Sequence, residues 1–293
     1  MKYGTDPEVF SVIKEENVAV SPALLEKYSN LKYLHQDKKE KHPVYLENEF
    51  YSWMQDGVAW ELTLKNPINT AVEMYEILNE SLFDLENFFK DLDFQGKEIK
   101  LEKKPVVEIN NEMYLPFMQE NKIFQGFIFG CDPDKDAFQT KYSCKTLNAE
   151  EHNFRYGGCH LHFSGEKELE WEIPAIKLFA ITVGNFYISK SKFLDLDRIR
   201  GGIYGKACRY RKQKYPNGDF GVEYRTPSNS VLSFSEKEFE ELFEMSEISL
   251  EFLKNPKKGV KIIDNYLVDT VKAISSANKK LAEKILENVK KDL

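Results

Sequence analysis

A chain of 293 residues, 42% hydrophobic and 13% aromatic, carries enough apolar side chain to close a sizeable core. Its formal net charge of −7 argues against nucleic acid as the main partner. No run of about 18 apolar residues is present to cross a membrane, and Met1-Lys2-Tyr3-Gly4-Thr5-Asp6 lacks an apolar signal core, so a soluble, cytoplasmic protein is expected. The four cysteines (Cys131, Cys144, Cys159, Cys208) show no Cys-x-x-Cys pairing and read as reduced thiols.

In chain order, Gln36-Asp37-Lys38-Lys39-Glu40-Lys41-His42 reads as a solvated loop. Residues 58–65 alternate as a strand, with Val58, Trp60, Leu62 and Leu64 on one face and Ala59, Glu61, Thr63 and Lys65 on the other. A helix is predicted from about Pro67, with capping-box spacing from Thr70 to Glu73 and Val72, Tyr75, Leu78, Leu82, Leu85 and Phe89 at steps of three and four. In 106–110, Val107 and Ile109 oppose Glu108 and Asn110.

The run Gly157-Gly158-Cys159-His160-Leu161-His162-Phe163-Ser164 is the most informative. On a strand, His160, His162 and Ser164 share a face, while Leu161 and Phe163 point into a core and Cys159 faces away from the histidines. One buried histidine and one exposed histidine would give the same pattern. Three of the five histidines nevertheless fall within 152–162. A well-buried helix follows, from near Pro174 to about Lys190. In 222–226, Val222, Tyr224 and Thr226 oppose Glu223 and Arg225. A third helix starts at Ser235 with a capping box to Glu238 and ends before Asn255-Pro256. Two more are predicted near 259–272 and 276–291, the last amphipathic through Leu281, Ile285 and Val289.

The expected fold is α+β. An antiparallel sheet carries a polar concave face, helices lie on the opposite face, and the C-terminus is helical. A single catalytic domain spans 1–293, with a core of about 1–232 and a helical extension of about 233–293 packed at the periphery. The polar face offers Glu, His, Arg and small residues instead of the Lys, Thr and Ser of a solvated face. Glu61, His160, His162 and Glu223 supply two carboxylates and two imidazoles on adjoining strands, with Glu8 a fifth member. Such carboxylate-rich sets suit Mg²⁺ or Mn²⁺, often more than one ion. A second constellation is cationic: Arg198, Arg200, Lys206, Arg209, Arg211, Lys212 and Lys214, with no acidic residue among them and with Gly201, Gly202 and Gly205 for motion. It reads as a solvated loop or as a mobile lid that grips phosphates; beside metal ligands it points to ATP.

Several motifs occur in order: Gly4-Thr5-Asp6-Pro7-Glu8, Asp56-Gly57-Val58-Ala59-Trp60-Glu61, Gly130-Cys131-Asp132-Pro133-Asp134, Gly157-Gly158-Cys159-His160-Leu161-His162, Tyr204-Gly205-Lys206-Ala207 and Gly221-Val222-Glu223-Tyr224-Arg225-Thr226-Pro227-Ser228-Asn229. The set resembles the phage-associated COOH–NH2 ligase (amidoligase) family, type 2, of the glutamine synthetase and glutamate–cysteine ligase superfamily, over about residues 1–232. The resemblance implies a glutamine-synthetase-like fold and an ATP- and Mg²⁺-dependent ligase. It would join a carboxylate and an amine on small-molecule, peptide or protein substrates through an acyl phosphate, in the host cytoplasm if phage-encoded. By resemblance, Glu8, Glu61, His160 and Glu223 hold metal, and His162 holds metal or contacts a phosphate. Arg225 faces the substrate carboxylate or the transferred phosphoryl group. Lys206, Arg209 and Arg211 clamp phosphates.

Two readings compete. His160-x-His162-x-x-x-Glu166 fits half of a cupin motif for a one-metal oxygenase or isomerase, but no histidine follows His162. A non-enzymatic phage-associated structural, binding or nucleic-acid-associated protein would leave the charged face merely solvated.

Overall fold

The computed structural model describes residues 1–38, 42–110, 112–114, 135–138, 152–192, 204–214 and 219–293. Among these, the first half of the chain forms β1 (Lys2–Ile13), β2 (Val18–Val20), α1 (Pro22–Tyr28), β3 (His35–Gln36), β4 (Pro43–Glu47), β5 (Tyr51–Asp56), β6 (Ala59–Leu64), α2 (Ala71–Lys90), β7 (Asp93–Phe94), β8 (Lys97–Glu102), β9 (Val106–Glu108) and β10 (Lys135–Asp136). The second half forms β11 (Phe154–Tyr156), β12 (Cys159–Ser164), α3 (Glu172–Phe179), a π-helical turn at Ala180–Gly184, α4 (Asn185–Lys190), β13 (Arg209–Lys214), β14 (Phe220–Tyr224), α5 (Glu236–Lys254), α6 (Pro256–Ser275) and α7 (Lys279–Lys291).

Twelve of these strands make one antiparallel sheet. Its main order is β10-β13-β14-β12-β1-β6-β5-β4-β3, with β2 and β8 on the far half of β1 and β7 on β8. The long β1 is the spine, because its first half pairs with β12 and its middle with β6. The fold is mixed α+β with a large antiparallel sheet, as the alternating strands predicted. Helices cover the apolar face. Phe163 of β12 stacks on Phe179 of α3 at 4.1 Å, Tyr3 of β1 stacks on Phe243 of α5 at 3.8 Å, and Trp53 of β5 donates to the Ser81 carbonyl of α2. The alternation that fills this face with Leu161, Phe163, Val222, Tyr224 and Trp60 leaves the other face polar.

Helix starts follow their caps. The Thr70 side chain accepts from the Glu73 amide, so α2 opens at Ala71 and not at Pro67. Ser235 and Glu238 close the capping box at the start of α5. Asn255 and Asn278 cap α6 and α7, which sets bounds differing by up to three residues from the predicted ones. The helix predicted through Lys190 is interrupted by the π-helical turn.

The C-terminal helices share the core. One buried hydrophobic cluster runs from Tyr3 to Val289, and Ala273, Ile274, Ala282 and Val289 are fully buried. α7 packs on α4 and α6. Gln36, Asp37, Lys38 and His42 are exposed or half-buried where β3 gives way to β4, and the Asp37 amide donates to the His42 carbonyl at 2.9 Å. One local expectation fails. Residues Val106–Glu108 belong to a separate two-stranded sheet with β11, and Glu108 is exposed, so that alternation does not add to the polar floor. No helix among the described residues is long and apolar enough to cross a membrane.

Candidate metal centre on the polar sheet face

Register puts the site together. In an antiparallel ladder, residues directly opposite each other share a face. Arg211 of β13 opposes Glu223 of β14, and Glu223 opposes His162 of β12. His162 opposes Gly4, His160 opposes Asp6, and Glu8, two residues further along β1, opposes Glu61 of β6. Asp56 ends β5 opposite Ala59, on the same face as Glu61, where Gly57 turns the hairpin in the left-handed region at φ 57°. Glu8, Glu61, His160, His162, Glu223 and Arg225 therefore all lie on the face opposite the helices, as their alternation predicted.

Two donor sets form there. Asp6, His162 and Glu223 each offer a ligand atom within 4.8 Å of the others, and so do Glu8, Asp56 and Glu61. β1 joins the sets through Asp6 and Glu8. His162 Nε2 lies 3.2 Å from Asp6 Oδ2. His160 sits beside the first set, with Nδ1 3.1 Å from Asp6 Oδ1 and 3.3 Å from Glu223 Oε1. Its other nitrogen packs on the backbone, since a Cβ at Gly158 would lie 2.8 Å from His160 Nε2. His162, and not His160, thus completes the first donor set among the described residues.

The Gly157-Gly158 turn has a steric reason. A Cβ at Gly157 would lie 2.5 Å from Asn229 Nδ2 and 2.9 Å from the Glu8 carbonyl oxygen. The Gly158 N–H donates to Glu8 Oε2 at 2.8 Å, and Asn229 donates to the Glu8 carbonyl at 2.8 Å. The turn and Asn229 together hold Glu8 from both its ends.

The two sets differ electrically. Burial disfavours charge on Asp6, but the His160 and His162 imidazoles outweigh it and hold the carboxyl well below its usual range. Burial likewise opposes ionisation of Glu223, yet the neighbouring Arg225 guanidinium brings it down to about 2. His162 is pushed down by burial and, more strongly in sum, up by Asp6 and Glu223, so its net direction is up. In the second set burial and like charge act together. Asp56 is raised by burial and by Glu8, and Glu61 by burial and by Asp56, Asp6 and Glu8. A divalent cation would relieve that repulsion. Hard carboxylate oxygens with one imidazole are the donor chemistry of Mg²⁺ or Mn²⁺, so the residues present fit such ions.

Arg225 is buried and donates to Glu223 Oε1, with Nη1 3.4 Å from His160 Nδ1. The pair is not a solvated surface contact. Gln213 of β13 donates to Glu223 Oε2. Arg211 is half-buried, 3.9 Å from the same oxygen. Arg209 is buried, with Nε 3.7 Å from Asp136 Oδ2, and its carbonyl accepts the Arg225 amide. The Lys206 carbonyl accepts from Thr226 Oγ1 at 2.8 Å, which anchors the Gly205 loop at the end of β14. The mobile-lid reading of 198–214 does not hold for its second half, which is strand β13 inside the sheet. Lys212 turns to the helix side and meets Glu172 at 2.8 Å. Arg198, Arg200, Gly201, Gly202 and the Gly130–Asp134 motif lie outside the described residues. Glu166 meets the Met1 ammonium at 3.3 Å and Lys254 at 3.0 Å, beyond the far end of β12, so it does not join the histidines as a cupin motif requires.

Asp6, Asp56 and Gln213 escaped the sequence reading. Asp6 stands two residues before Glu8 in a strand and so shares its face. Asp56-Gly57 between two strand-like runs is a hairpin turn signal that places Asp56 beside Glu61. No protein-family model matches the chain, and no curated protein matches it.

Proposed function

We propose that the chain is an ATP- and Mg²⁺-dependent carboxylate–amine ligase with a glutamine-synthetase-like catalytic fold. The observation that carries this reading is the pairing of two adjoining donor sets with a buried Arg225 on one sheet face. The ordered motifs around Glu8, Glu61, His160, Glu223 and Lys206 support the same class.

Asp6, His162 and Glu223 would hold one ion, and Glu8, Asp56 and Glu61 another. Bound there, Mg²⁺ would supply charge neutralisation for nucleotide phosphates. A substrate carboxylate oxygen attacks the γ-phosphorus of ATP, the bond to ADP breaks, and an acyl phosphate results. An amine then attacks the acyl carbon, loses a proton, and inorganic phosphate leaves with the formation of the amide. The protein supplies fixed positive charge for the transferred group and orientation of both partners. Arg225, already desolvated beside Glu223, would be the cation that meets the phosphoryl oxygens or the carboxylate. Arg211, 3.9 Å from Glu223 Oε2, and Lys206, in the loop tied to Thr226, would serve the other phosphates. Arg209, turned to Asp136, is a weaker candidate for direct contact.

The test is a thermal-shift titration with ATP and Mg²⁺, followed by a screen for amine-dependent phosphate release across amino acids and cell-wall peptides. ATP with Mg²⁺ should raise Tm, and Glu223→Gln should lower turnover by about a hundredfold or more. Because Arg225 and Glu223 are buried together, Arg225→Ala should also cost about 3–5 kcal/mol of stability. Arg225→Lys keeps the charge, loses the planar fork, and is the cleaner kinetic variant. Absence of any ATP effect on Tm would reject the reading.

A further inference from the structure

Glu223 is the most heavily used carboxylate of the centre, and its two oxygens have different work. Oε1 takes Arg225 and faces His160 Nδ1 at 3.3 Å. Oε2 accepts a hydrogen bond from the Gln213 side-chain amide. The register explains how Gln213 reaches it. Gln213 lies opposite Gly221, which has no side chain, so the amide can lean along the polar face to Glu223, two residues further along β14.

We propose that Gln213 is a positioning residue for the Asp6–His162–Glu223 set, and that it works because it is neutral. A carboxylate oxygen can accept the amide and a cation at once. The Gln213 donor fixes the plane of the Glu223 carboxylate, so the oxygen that Glu223 offers to the first set stays within 4.8 Å of a ligand atom on Asp6 and on His162. It does so without adding positive charge. Arg211, directly opposite Glu223 at 3.9 Å, would compete with a cation if it took the same oxygen closely. The inference rests on the metal half of the proposed function and not on its chemistry.

The experiment is a Mn²⁺ titration of the full chain without nucleotide, followed by the loss of the free-ion electron paramagnetic resonance signal. Removing a group that orients a metal ligand commonly weakens binding about 10–100-fold. In Gln213→Leu, one class of Mn²⁺ site should weaken by that factor. The class formed by Glu8, Asp56 and Glu61, on β1, β5 and β6 and away from β13, should stay within about twofold. Gln213→Lys keeps a donor but adds charge beside the ion, and should weaken the same class further. Equal affinity in Gln213→Leu and the parent overturns the assignment, and so does a parallel loss in both classes, which marks a general structural effect. A parent that binds no Mn²⁺ overturns both this inference and the metal half of the proposed function. A parent that binds Mn²⁺, shows the selective loss, and never turns over ATP upholds Gln213 and rejects the ligase.

Discussion

At the scale of single residues, opposite pKa shifts within one centre give a sign that can be checked. Asp56 and Glu61 are raised, by burial first and by neighbouring carboxylates next. A raised carboxylate keeps its proton in the native state where the unfolded chain has lost it, so its contribution to stability falls as pH rises above its unfolded value of 3.8 or 4.5. His162, raised by Asp6 against the burial that lowers it, adds to the same decline as pH passes its folded value. Asp6 and Glu223 act the other way. They stabilise above their unfolded values of 3.8 and 4.5 and lose that contribution as pH falls towards their lowered ones, about 2 for Glu223. The metal-free protein should therefore be most stable in mildly acid solution, with Tm falling from about pH 5 to pH 8. Because Mn²⁺ displaces the protons, its stabilising effect should grow over the same range. Glu61→Gln mimics the protonated acid. At pH 8 it should raise the metal-free Tm by about 2–4 °C, the scale of 1 kcal/mol in a large domain, and shrink the gain from Mn²⁺. A Tm that climbs steadily from pH 5 to 8 in the parent would contradict the balance described.

At the scale of elements, legibility followed periodicity. β6, β12 and β14 were readable because each alternates apolar and polar residues, and that alternation also named Glu61, His160, His162, Glu223 and Arg225. β13 was not. Its Arg209-Tyr210-Arg211-Lys212-Gln213-Lys214 run offers one apolar residue, so charge spoke for a loop while pairing with β14 made a strand. The polar side of β13 faces the centre and its other side meets Glu172, an arrangement that only the tertiary contacts define. The Gly157-Gly158 turn was noted for its neighbours, yet its own role is steric. Gly157→Ala should force Asn229 or the Glu8 carbonyl to move, at about 1–3 kcal/mol. Because Glu8 is displaced with its backbone, the variant should lose part of the Mn²⁺-dependent gain in Tm along with the metal-free Tm. A Tm unchanged from the parent would mean that the turn relaxes without cost.

At the scale of the whole molecule, the closing helices were legible as helices and not as part of the core. Their caps and amphipathic faces are local, whereas what they cover is decided by α4 and the π-helical turn. Ala282 and Val289 of α7 are fully buried, Ile285 is 3% exposed, and the helix lies against α4 and α6. The link continues towards the centre. Tyr187 of α4 bonds to Ser228 at 2.7 Å, the next residue is Asn229, and Asn229 holds the Glu8 carbonyl at 2.8 Å. Burying one such aliphatic side chain contributes about 1.5–3 kcal/mol. Removing residues 279–293 strips Ile285, Leu286 and Val289 from the core together and should cost roughly 5 kcal/mol, a large share of the 5–15 kcal/mol typical of a folded domain. The truncated chain should unfold at much lower temperature, and Mn²⁺ should rescue it only in part, since Glu8 loses its support through Tyr187 and Asn229. Were α7 an appendage, urea unfolding of the truncated chain would keep both the midpoint and the slope of the parent. A lowered midpoint with a reduced slope, reflecting the surface no longer buried, is the expected result.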